Sequence, residues 1–582
     1  MLVKLHDNTN LEIKADLGNW QLSTSDNFDN GVETLKITLQ NSENAPYPQI
    51  RLKWKSPKID MQYFWHESKI FDSHIPPNWW GFCESNIANS IPIMQLSNQQ
   101  CQNRYLVAVG EPLRSVKMKA GVYEEDNNIE FDIMLFCDPE APANFYELEI
   151  RIDKRNIFYA DAINDAMEFL KKNNPAKKVP ESAFLPIYST WYNFHQNLFA
   201  HELEAECEAA INYGIKGIIV DDGWQTDDNN RGYAFCGDWQ LAKRRFPDMK
   251  AHVKKIHDLG MKYLMWLSVP FMGEKSSNFD KFKNMLLHTG ATKNTGVLDP
   301  RFAEVREFLI STYIRMVKDF DLDGLKLDFI DWFTFKGEDP AVKDNYAGRD
   351  IKSLPSAVDL LMTTITNELT KIKPDILIEF RQTYIGSAIQ KYGNMLRAAD
   401  CPNDSLSNRV RTLRLRLCCG ENAVHSDMIE WHNNESVEFA ALQFINIIFS
   451  VPQISVKLSE LNEAHKKMLK FYLGFWNEHR ATLMFGKLRP YQMADNFPLV
   501  TAENENEKII AVYGANQVIN CDFSGKVYVV NGSGDTALVF DNLKIGRKAT
   551  IFNAMGEKVA EVTSSATLQK IAIPLSGMIV IE

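Results

Sequence analysis

The chain has 582 residues, of which 45% are hydrophobic and 24% are charged, and its net charge is -11. That length exceeds one ordinary core, so we expect several domains, and the composition is that of a folded globular protein. An acidic chain offers no basic surface for nucleic acid or an anionic membrane, so a neutral, polar substrate is the better expectation. The polar start and the lack of a long apolar run predict a cytoplasmic protein without a membrane span.

The cysteine and histidine patterns indicate neither a disulfide framework nor a metal centre. Nine cysteines are scattered along the chain without a CxxC pair, and no HxH or HExxH pattern occurs. A CxxC pair is typical of the common zinc sites, and an HxH or HExxH pattern is typical of metal-dependent hydrolases. We therefore expect no metal and no cofactor.

Three regions differ in the period of their hydrophobic residues. Residues 1–178 contain short runs of alternating apolar and polar residues, which predict an N-terminal β-sandwich. Residues 179–487 alternate apolar strands with helical stretches, and residues 488–582 return to strands that predict a small C-terminal antiparallel β-domain. The expected fold class is therefore a multidomain α/β plus β protein.

The middle region contains eight candidate strands, at 185–191, 217–221, 261–267, 323–328, 375–380, 395–400, 422–427 and 451–456. Eight strand and helix units of this kind predict a closed, parallel (β/α)8 TIM barrel. The competing open, doubly wound sheet is disfavoured because no GxGxxG follows a strand. One helix is predicted to begin with Asp299 as its cap and Pro300 at its first position.

Carboxylates and aromatic rings recur where the predicted strands end. Lys326 and Asp328 lie two residues apart, so they share a strand face, and the cation keeps the carboxylate ionised at neutral pH. Barrel active sites form at the C-terminal strand ends, where this sequence places Trp191, Asp221, Asp222, Trp266, Lys326, Asp328, Arg381, Asp400 and Asp427. Two carboxylates among aromatic rings are what glycoside hydrolysis requires, one to attack the sugar and one to protonate the leaving oxygen.

An ordered set of motifs in this region resembles a known family. The set comprises Asp221-Asp222-Gly223-Trp224, Gly237-Asp238-Trp239, Phe246-Pro247, Ile256-His257-Asp258-Leu259-Gly260-Met261-Lys262 and Lys326-Leu327-Asp328. Together these motifs are similar to the barrel of the retaining, melibiase-like α-galactosidases of glycoside hydrolase family 36, in the clan shared with family 27. The resemblance implies that Asp328 is the nucleophile and Asp400 the general acid/base.

The resemblance also implies a substrate-binding set. Asp221 and Asp222 would bind the 4- and 6-hydroxyls of the terminal sugar, Lys326 would contact a ring hydroxyl, and Trp191 would line the pocket. The candidate set is completed by Trp266, Arg381, Asp404 and Arg409.

The chain departs from the family pattern at two strands. After the third strand it carries Trp266-Leu267-Ser268-Val269-Pro270 where relatives have WxEPE, and after the fifth it carries Glu379-Phe380-Arg381-Gln382 in place of a glycine-rich segment. That segment lies near the sugar 2-substituent in the relatives. We therefore expect Arg381 beside the 2-position, where its bulk would favour galactose over N-acetylgalactosamine.

Several assignments keep an alternative. Asp404 could supply the acid in place of Asp400, and Arg397 and Arg409 could bind substrate or form structural ion pairs. A cluster after the seventh strand could be a rim subsite or part of the core, and it comprises His425, Asp427, Trp431 and His432. The segment 76–80 (PPNWW) is expected to pack as a turn, the alternative being a loop that reaches a neighbouring subunit.

The sequence thus predicts a retaining, exo-acting α-galactosidase that hydrolyses terminal non-reducing α-galactosides of oligosaccharides by double displacement at two aspartates. The alternatives are an α-N-acetylgalactosaminidase or other α-pyranosidase of the same clan, and a non-catalytic carbohydrate-binding relative. No nucleic-acid or membrane partner is expected, and a homo-oligomer stays open.

Overall fold

The computed structural model describes residues 1–172, 174–228, 232–290, 292 and 294–582. It confirms the predicted fold class, a parallel eight-stranded barrel in the middle of the chain with further β-sheets before and after it. Within the described residues, no helix combines the length and the apolar character that crossing a membrane requires.

Two six-stranded sheets form the N-terminal region. Their strands are β1 (Leu2–Lys4), β2 (Asn10–Ala15), β3 (Gln21–Asp29), β4 (Val32–Ala45), β5 (Ile50–Pro57), β6 (Tyr63–Trp65), β7 (Cys83–Ser85), β8 (Ile93–Ser97), β9 (Asn103–Val109), β10 (Val116–Tyr123), β11 (Asn128–Leu135) and β12 (Ala143–Asp153). The orders are β1-β2-β5-β11-β10-β7 and β3-β4-β12-β9-β8-β6. Leu35, Ile37 and Leu39 alternate with less buried residues along β4 and are fully buried, so the core lies between the sheets.

The segment 76–80 does not pack as predicted. The side chains of Trp79 and Trp80 are 61% and 51% exposed, respectively. The segment is held at Asn78, whose backbone amide donates to the carbonyl of Val122 at 3.0 Å and whose Nδ2 donates to Glu130 Oε1 at 3.2 Å. The prediction of a packed turn is therefore wrong for both indoles.

The barrel occupies the middle region. The strands described there are β13 (Ile187–Ser189), β14 (Gly217–Val220), β15 (Lys262–Ser268), β16 (Phe271–Gly273), β17 (Leu286–Thr289), β18 (Thr295–Leu298), β19 (Gly324–Asp328), β20 (Leu377–Arg381), β21 (Met395–Arg397), β22 (Ala423–His425) and β23 (Gln453–Ile454). The barrel order is β22-β21-β20-β19-β15-β14-β13-β23, and a parallel bridge between His425 and Val451 closes the ring. Each of the eight predicted strands overlaps one of these barrel strands.

Helices follow most barrel strands and cover the outside of the barrel. The described helices are α1 (Tyr159–Lys171), α2 (Trp191–Phe194), α3 (Ala200–Ala210), α4 (Met249–Asp258), α5 (Phe279–Phe282), α6 (Ala303–Phe320), α7 (Pro340–Lys343), α8 (Leu354–Ile372), α9 (Ile389–Tyr392), α10 (Ser405–Cys418), α11 (Val437–Asn446), α12 (Glu463–Glu478) and α13 (Arg480–Phe485). The apolar residues at three- and four-residue spacings on α6 are predicted to be buried, and Val305, Leu309, Met316 and Val317 are, whereas Phe320 is only partly buried.

The predicted start of α6 is wrong. The helix begins at Ala303, and Asp299 does not cap it. The Asp299 carboxylate is fully buried and accepts hydrogen bonds from Arg301 Nε and Arg349 Nε, each at 2.9 Å. The carboxylate that was predicted to cap the helix therefore binds two buried guanidinium groups instead.

The C-terminal region is a β-domain of two sheets. Its strands are β24 (Lys487–Tyr491), β25 (Leu499–Glu503), β26 (Glu507–Val512), β27 (Val518–Asn520), β28 (Lys526–Asn531), β29 (Ala537–Asp541), β30 (Lys548–Phe552), β31 (Lys558–Thr563), β32 (Gln569–Ala572) and β33 (Met578–Ile581). Most neighbours are antiparallel, as predicted, but β26 with β28 and β27 with β29 are parallel. The reason is that the chain crosses from one sheet to the other and back between these strands.

Candidate active site

The C-terminal end of β19 brings together a lysine and an aspartate. Lys326 and Asp328 are 4% and 7% exposed, and both belong to the same strand face because they are two positions apart. Lys326 Nζ donates to Asp221 Oδ2 of the β14 end at 2.5 Å. The lysine therefore forms an ion pair with a site carboxylate from β14, on the far side of β15, and its charge also acts on Asp328.

Asp328 is held by three hydrogen-bond donors. Its Oδ2 accepts from Trp266 Nε1 at 3.0 Å, and its Oδ1 accepts from Arg381 Nε at 2.6 Å and from the backbone amide of Phe329 at 2.8 Å. Burial alone would raise the pKa of Asp328, but the charges of Arg381 and Lys326 outweigh it and hold that pKa below its usual value. Asp328 is thus an ionised, oriented carboxylate.

Asp400 follows β21 and has one strong ionic partner. Arg397 Nη2 donates to Asp400 Oδ1 at 2.8 Å, while 54% of the aspartate side chain stays exposed. Burial at the end of the barrel raises the pKa of Asp400. The positive charge of Arg397 opposes this effect most strongly, followed by the charges of Lys326 and Arg381, and together they lower the pKa to about 2. Asp400 is therefore an ionised carboxylate that remains accessible from the cavity.

Asp221 and Asp222 differ in their surroundings although they are adjacent. Asp221 is paired with Lys326, whereas Asp222 accepts hydrogen bonds from Gln196 Nε2 and Gln225 Nε2, both at 2.6 Å. Burial raises the pKa of Asp222 to about 6, the two amides oppose that rise, and the neighbouring Asp221 adds to it. This side of the site therefore presents one carboxyl group in an ion pair with Lys326 and one whose pKa is raised.

An open cavity of about 510 Å³ lies over these strand ends. It is lined by Trp191, Tyr192, His195, Tyr233, Asp400, Pro402 and Glu430. Trp191 is partly exposed and meets the His195 ring edge-on at a centroid distance of 5.1 Å. The cavity therefore offers aromatic faces beside Asp400, and Asp328 lies more deeply buried than its lining.

Three members of the predicted binding set lie elsewhere. Trp266 is 1% exposed and is buried under Tyr233, so it orients Asp328 and does not line the cavity. Asp404 is the N-cap of α10 and accepts from the Ser407 amide at 2.9 Å. Neither residue lines the cavity, and each polar group has a structural partner, so the structure lends no support to these two assignments to substrate binding.

Arg409 is the third of these residues, and it also lies outside the cavity lining. It is 8% exposed, and its Nη1 donates to Asn446 Oδ1 at 2.6 Å while its Nε donates to the Asn496 carbonyl at 3.2 Å. The guanidinium also lies 4.2 Å from the centroid of the Tyr513 ring. Arg409 therefore joins the barrel to the C-terminal domain.

A buried polar network lies beneath Asp400. Arg397 Nη1 donates to Asp427 Oδ1, and Asp427 Oδ2 accepts from the Tyr192 hydroxyl and from the Cys401 amide, both at 2.6 Å. Burial raises the pKa of Asp427, while Arg397 opposes that effect. Of the two alternatives for Arg397, the structure shows the ion pair.

The cluster after the seventh strand divides between core and surface. His425 and Asp427 are fully buried, and burial lowers the pKa of His425 to about 4. Trp431 is 8% exposed and donates to His465 Nδ1 at 3.2 Å, whereas His432 is exposed. The core alternative therefore describes His425, Asp427 and Trp431.

Several residues near the site were missed by the sequence analysis. Tyr192, Tyr233 and Glu430 line the cavity, and Asp331 lies near Arg381 with its Oδ2 accepting from Thr383 Oγ1 at 3.2 Å. Burial raises the pKa of Asp331, and Arg381 opposes the rise. Tyr192 and Asp331 could have been found as neighbours of Trp191 and Asp328, whereas Tyr233 and Glu430 come from loops without a periodic signal.

Comparison with known proteins points to the same family as the motifs. Residues 169–388 match the family model described as Melibiase. Alpha-galactosidase 1 of Pediococcus pentosaceus is 26% identical over 148 residues, which are 24% of this chain and 19% of that protein. The chain thus spans about a fifth of the length of the curated relatives it matches.

Solved structures resemble the whole chain in fold. The α-galactosidase from Lactobacillus brevis has a TM-score of 0.61 at 13% identity, covering 100% of this chain and 87% of that one. The GH36 α-galactosidase AgaA of Geobacillus stearothermophilus, solved with 1-deoxygalactonojirimycin, has a TM-score of 0.64 at 14% identity, with coverages of 100% and 84%. The predicted resemblance is confirmed: residues 169–388 match the Melibiase family model, and the whole chain has the fold of the solved family 36 α-galactosidases.

Proposed function

We propose that this chain is a retaining, exo-acting α-galactosidase that hydrolyses terminal non-reducing α-galactosides with Asp328 as nucleophile and Asp400 as general acid/base. The observation that carries the proposal is the site of a melibiase-family barrel in which a buried, oriented Asp328 lies below a cavity lined by an accessible Asp400. A double displacement needs one carboxylate fixed for attack and one that can exchange a proton.

In the first step, Asp328 attacks the anomeric carbon while the bond to the leaving oxygen breaks and Asp400 protonates that oxygen. The product is a covalent galactosyl ester of Asp328 and a free alcohol. In the second step, Asp400 takes a proton from water, the water oxygen attacks the anomeric carbon, and Asp328 leaves. The sugar is released with the configuration it had in the substrate.

The ion pair of Asp400 fits the second step directly, because a base must be ionised. The first step needs a proton on the same group, and a sugar that covers the carboxyl removes water from it. Desolvation favours the neutral form of a carboxyl, which opposes the effect of Arg397. Substrate binding therefore moves Asp400 toward the state that the first step requires.

The remaining site residues match the recognition of a terminal sugar. Asp221 and Asp222 can accept hydrogen bonds from hydroxyls, and the Trp191 ring can cover the apolar face of a pyranose. The cavity volume of about 510 Å³ suits a short oligosaccharide. The AgaA enzyme has also been solved with raffinose and with stachyose, which supports oligosaccharides as the substrate class.

One observation favours a second candidate, a non-catalytic carbohydrate-binding relative. Arg381 Nε binds the same Asp328 carboxylate that would attack the sugar, at 2.6 Å. A carboxylate that keeps this partner in the presence of sugar would be a weaker nucleophile. The alternatives within the enzyme class are an α-N-acetylgalactosaminidase or another α-pyranosidase of the clan.

A panel of p-nitrophenyl α-glycosides tests these candidates together with a calorimetric titration of galactose. We expect the galactoside to be hydrolysed fastest, with no turnover by an Asp328→Asn control of unchanged thermal stability. Galactose binding without hydrolysis of any glycoside would favour the binding protein. Faster hydrolysis of another glycoside would replace galactose as the substrate.

A further inference from the structure

Glu67 belongs to the N-terminal sandwich region but is buried against the barrel. It follows β6, is 2% exposed, and its Oε1 accepts from Gln382 Nε2 at 2.9 Å. Burial raises the pKa of Glu67, and the hydrogen bond from Gln382 opposes that rise. A carboxyl group from the N-terminal region is thus in direct contact with Gln382, the residue after β20.

Glu67 determines which way the Gln382 amide points. An amide side chain has a donor end and an acceptor end, and the Glu67 oxygen takes the donor end. The acceptor end, Oε1, is therefore directed to the backbone amide of Ala399, which donates to it at 3.0 Å. Gln382 is 1% exposed, and its own backbone amide donates to the Arg397 carbonyl at 2.9 Å.

The contact at Ala399 matters because Asp400 is the next residue. The amide that precedes Asp400 in the chain is held by Gln382, and the amide that follows it, on Cys401, is held by Asp427 Oδ2 at 2.6 Å. Gln382 follows β20 and Asp427 follows β22, which are the strands on either side of β21. The backbone that carries Asp400 is therefore fixed on both sides, once by the barrel alone and once through Glu67.

The position of Glu67 is itself fixed by the barrel. Arg414 Nη1 donates to the carbonyl of His66, the residue before Glu67, at 3.2 Å. The Ser90 amide also donates to the Thr383 carbonyl at 3.1 Å. These contacts place the Glu67 segment at a defined distance from Gln382.

We propose that Glu67 is a positioning residue for Asp400, acting through Gln382 and the Ala399 amide. The inference rests on the proposed function, in which Asp400 is the general acid/base. Losing Glu67 lets the Gln382 amide rotate and frees the backbone before Asp400. Proton transfer to the leaving oxygen then becomes less well aligned, while the sugar site at Asp221 and Asp222 is unchanged.

The test compares Glu67→Leu with Glu67→Gln, which keeps an acceptor oxygen for Gln382. For Glu67→Leu we expect kcat/KM on methyl α-galactoside to fall by about 10- to 100-fold, the range that misplacement of a catalytic group costs. A dinitrophenyl α-galactoside, whose leaving group needs little protonation, should be affected far less. The inhibition constant of galactose should stay unchanged, and Glu67→Gln should restore the methyl galactoside rate.

Ser73→Ala is the matched control, because it also removes a hydrogen bond between the N-terminal region and the barrel but does not involve Gln382. Its two galactoside rates should match the wild type. If Glu67→Leu does not fold, Gln382→Leu replaces it, since it removes the same contact to Ala399 from the barrel side. Adding Glu67→Gln to Gln382→Leu should then cause no further loss.

Equal losses on both galactosides, or no loss in a folded Glu67→Leu variant, would overturn the positioning role. These outcomes differ from failure of the proposed function, in which the wild type itself hydrolyses neither galactoside. The wild-type rate on the dinitrophenyl substrate is therefore measured first. A loss shared by Ser73→Ala would likewise contradict the role, since it would show an effect of the interface as a whole.

Discussion

Arg381 and Arg397 are direct partners in the parallel pairing of β20 with β21, and each binds a different carboxylate of the proposed catalytic pair. Arg381 donates to Asp328 at 2.6 Å, and Arg397 donates to Asp400 at 2.8 Å. Two adjacent strands therefore supply one guanidinium to each carboxylate. This arrangement lowers the pKa of both aspartates, so the unliganded site holds two ionised carboxylates.

The role of Arg381 in sugar selection is tested by Arg381→Ala. We expect the galactoside KM to rise and transition-state binding to weaken by about 1–3 kcal/mol, because the buried Asp328 carboxylate loses one of its three hydrogen bonds. The smaller side chain should also raise activity on the N-acetylgalactosaminide. Arg381→Lys is the control, since it keeps a charge without the planar fork. A wild type that prefers the N-acetylgalactosaminide would refute this assignment.

The acid role of Asp400 predicts a dependence on the leaving group. Asp400→Ala should reduce kcat/KM on methyl α-galactoside by orders of magnitude more than on a dinitrophenyl α-galactoside, because only the poor leaving group needs a proton. Steady-state rates on the two substrates give the comparison. A uniform loss on both would assign Asp400 a structural role.

Asp404→Ala is the matched variant four residues away. Because Asp404 caps α10, we expect it to cost about 1 kcal/mol of unfolding free energy and to leave both rates near those of the wild type. Chemical denaturation measures the first quantity. A loss of activity equal to that of Asp400→Ala would make Asp404 the acid.

Asp222 predicts a pH dependence of stability. Burial raises its pKa from 3.8 to about 6 in the folded chain, so the folded state binds the proton more tightly than the unfolded state. The contribution of Asp222 to the free energy of unfolding should therefore decrease as the pH rises from about 4 to about 6, by up to about 3 kcal/mol. Denaturation at several pH values should show a smaller decrease for Asp222→Asn. Parallel curves for the two proteins would contradict the raised pKa.

The nucleophile can be identified by chemical rescue. Asp328→Gly should lose activity by several orders of magnitude, because no covalent galactosyl ester can form. Azide in the vacated space should restore turnover of a dinitrophenyl α-galactoside and give the β-galactosyl azide, since azide attacks from the face that Asp328 occupied. Near-normal activity of a folded variant without azide would exclude Asp328.

The sequence was sufficient for the parts of the fold and site that depend on period and strand position. Alternating apolar residues and strand ends located all eight barrel strands and placed Lys326 beside Asp328. The sequence could not show which partner a polar group finds. Asp299, Asp404 and Arg409 have suitable chemistry for the predicted roles, but each binds another part of the chain. Asp299 binds buried arginines, Asp404 caps α10, and Arg409 donates to Asn446 and to the C-terminal domain.

The sequence also could not predict how deeply each strand-end side chain is buried in the site. Trp266 lies at a strand end as predicted, yet Tyr233 from the preceding loop, between β14 and β15, covers it, and loop conformation has no periodic signal. Glu67 lies more than 300 residues before Gln382, and only the folded chain brings the two together. Long-range contacts of this kind decide which strand-end residues face the sugar.

Proton NMR of the first sugar released from p-nitrophenyl α-galactoside tests the central claim most directly. A retaining α-galactosidase with Asp328 and Asp400 in the proposed roles gives α-galactose first, and the β-anomer appears only later by mutarotation. Initial formation of β-galactose would show inversion and contradict the double displacement. Absence of any hydrolysis by the folded wild type would contradict the proposed activity itself.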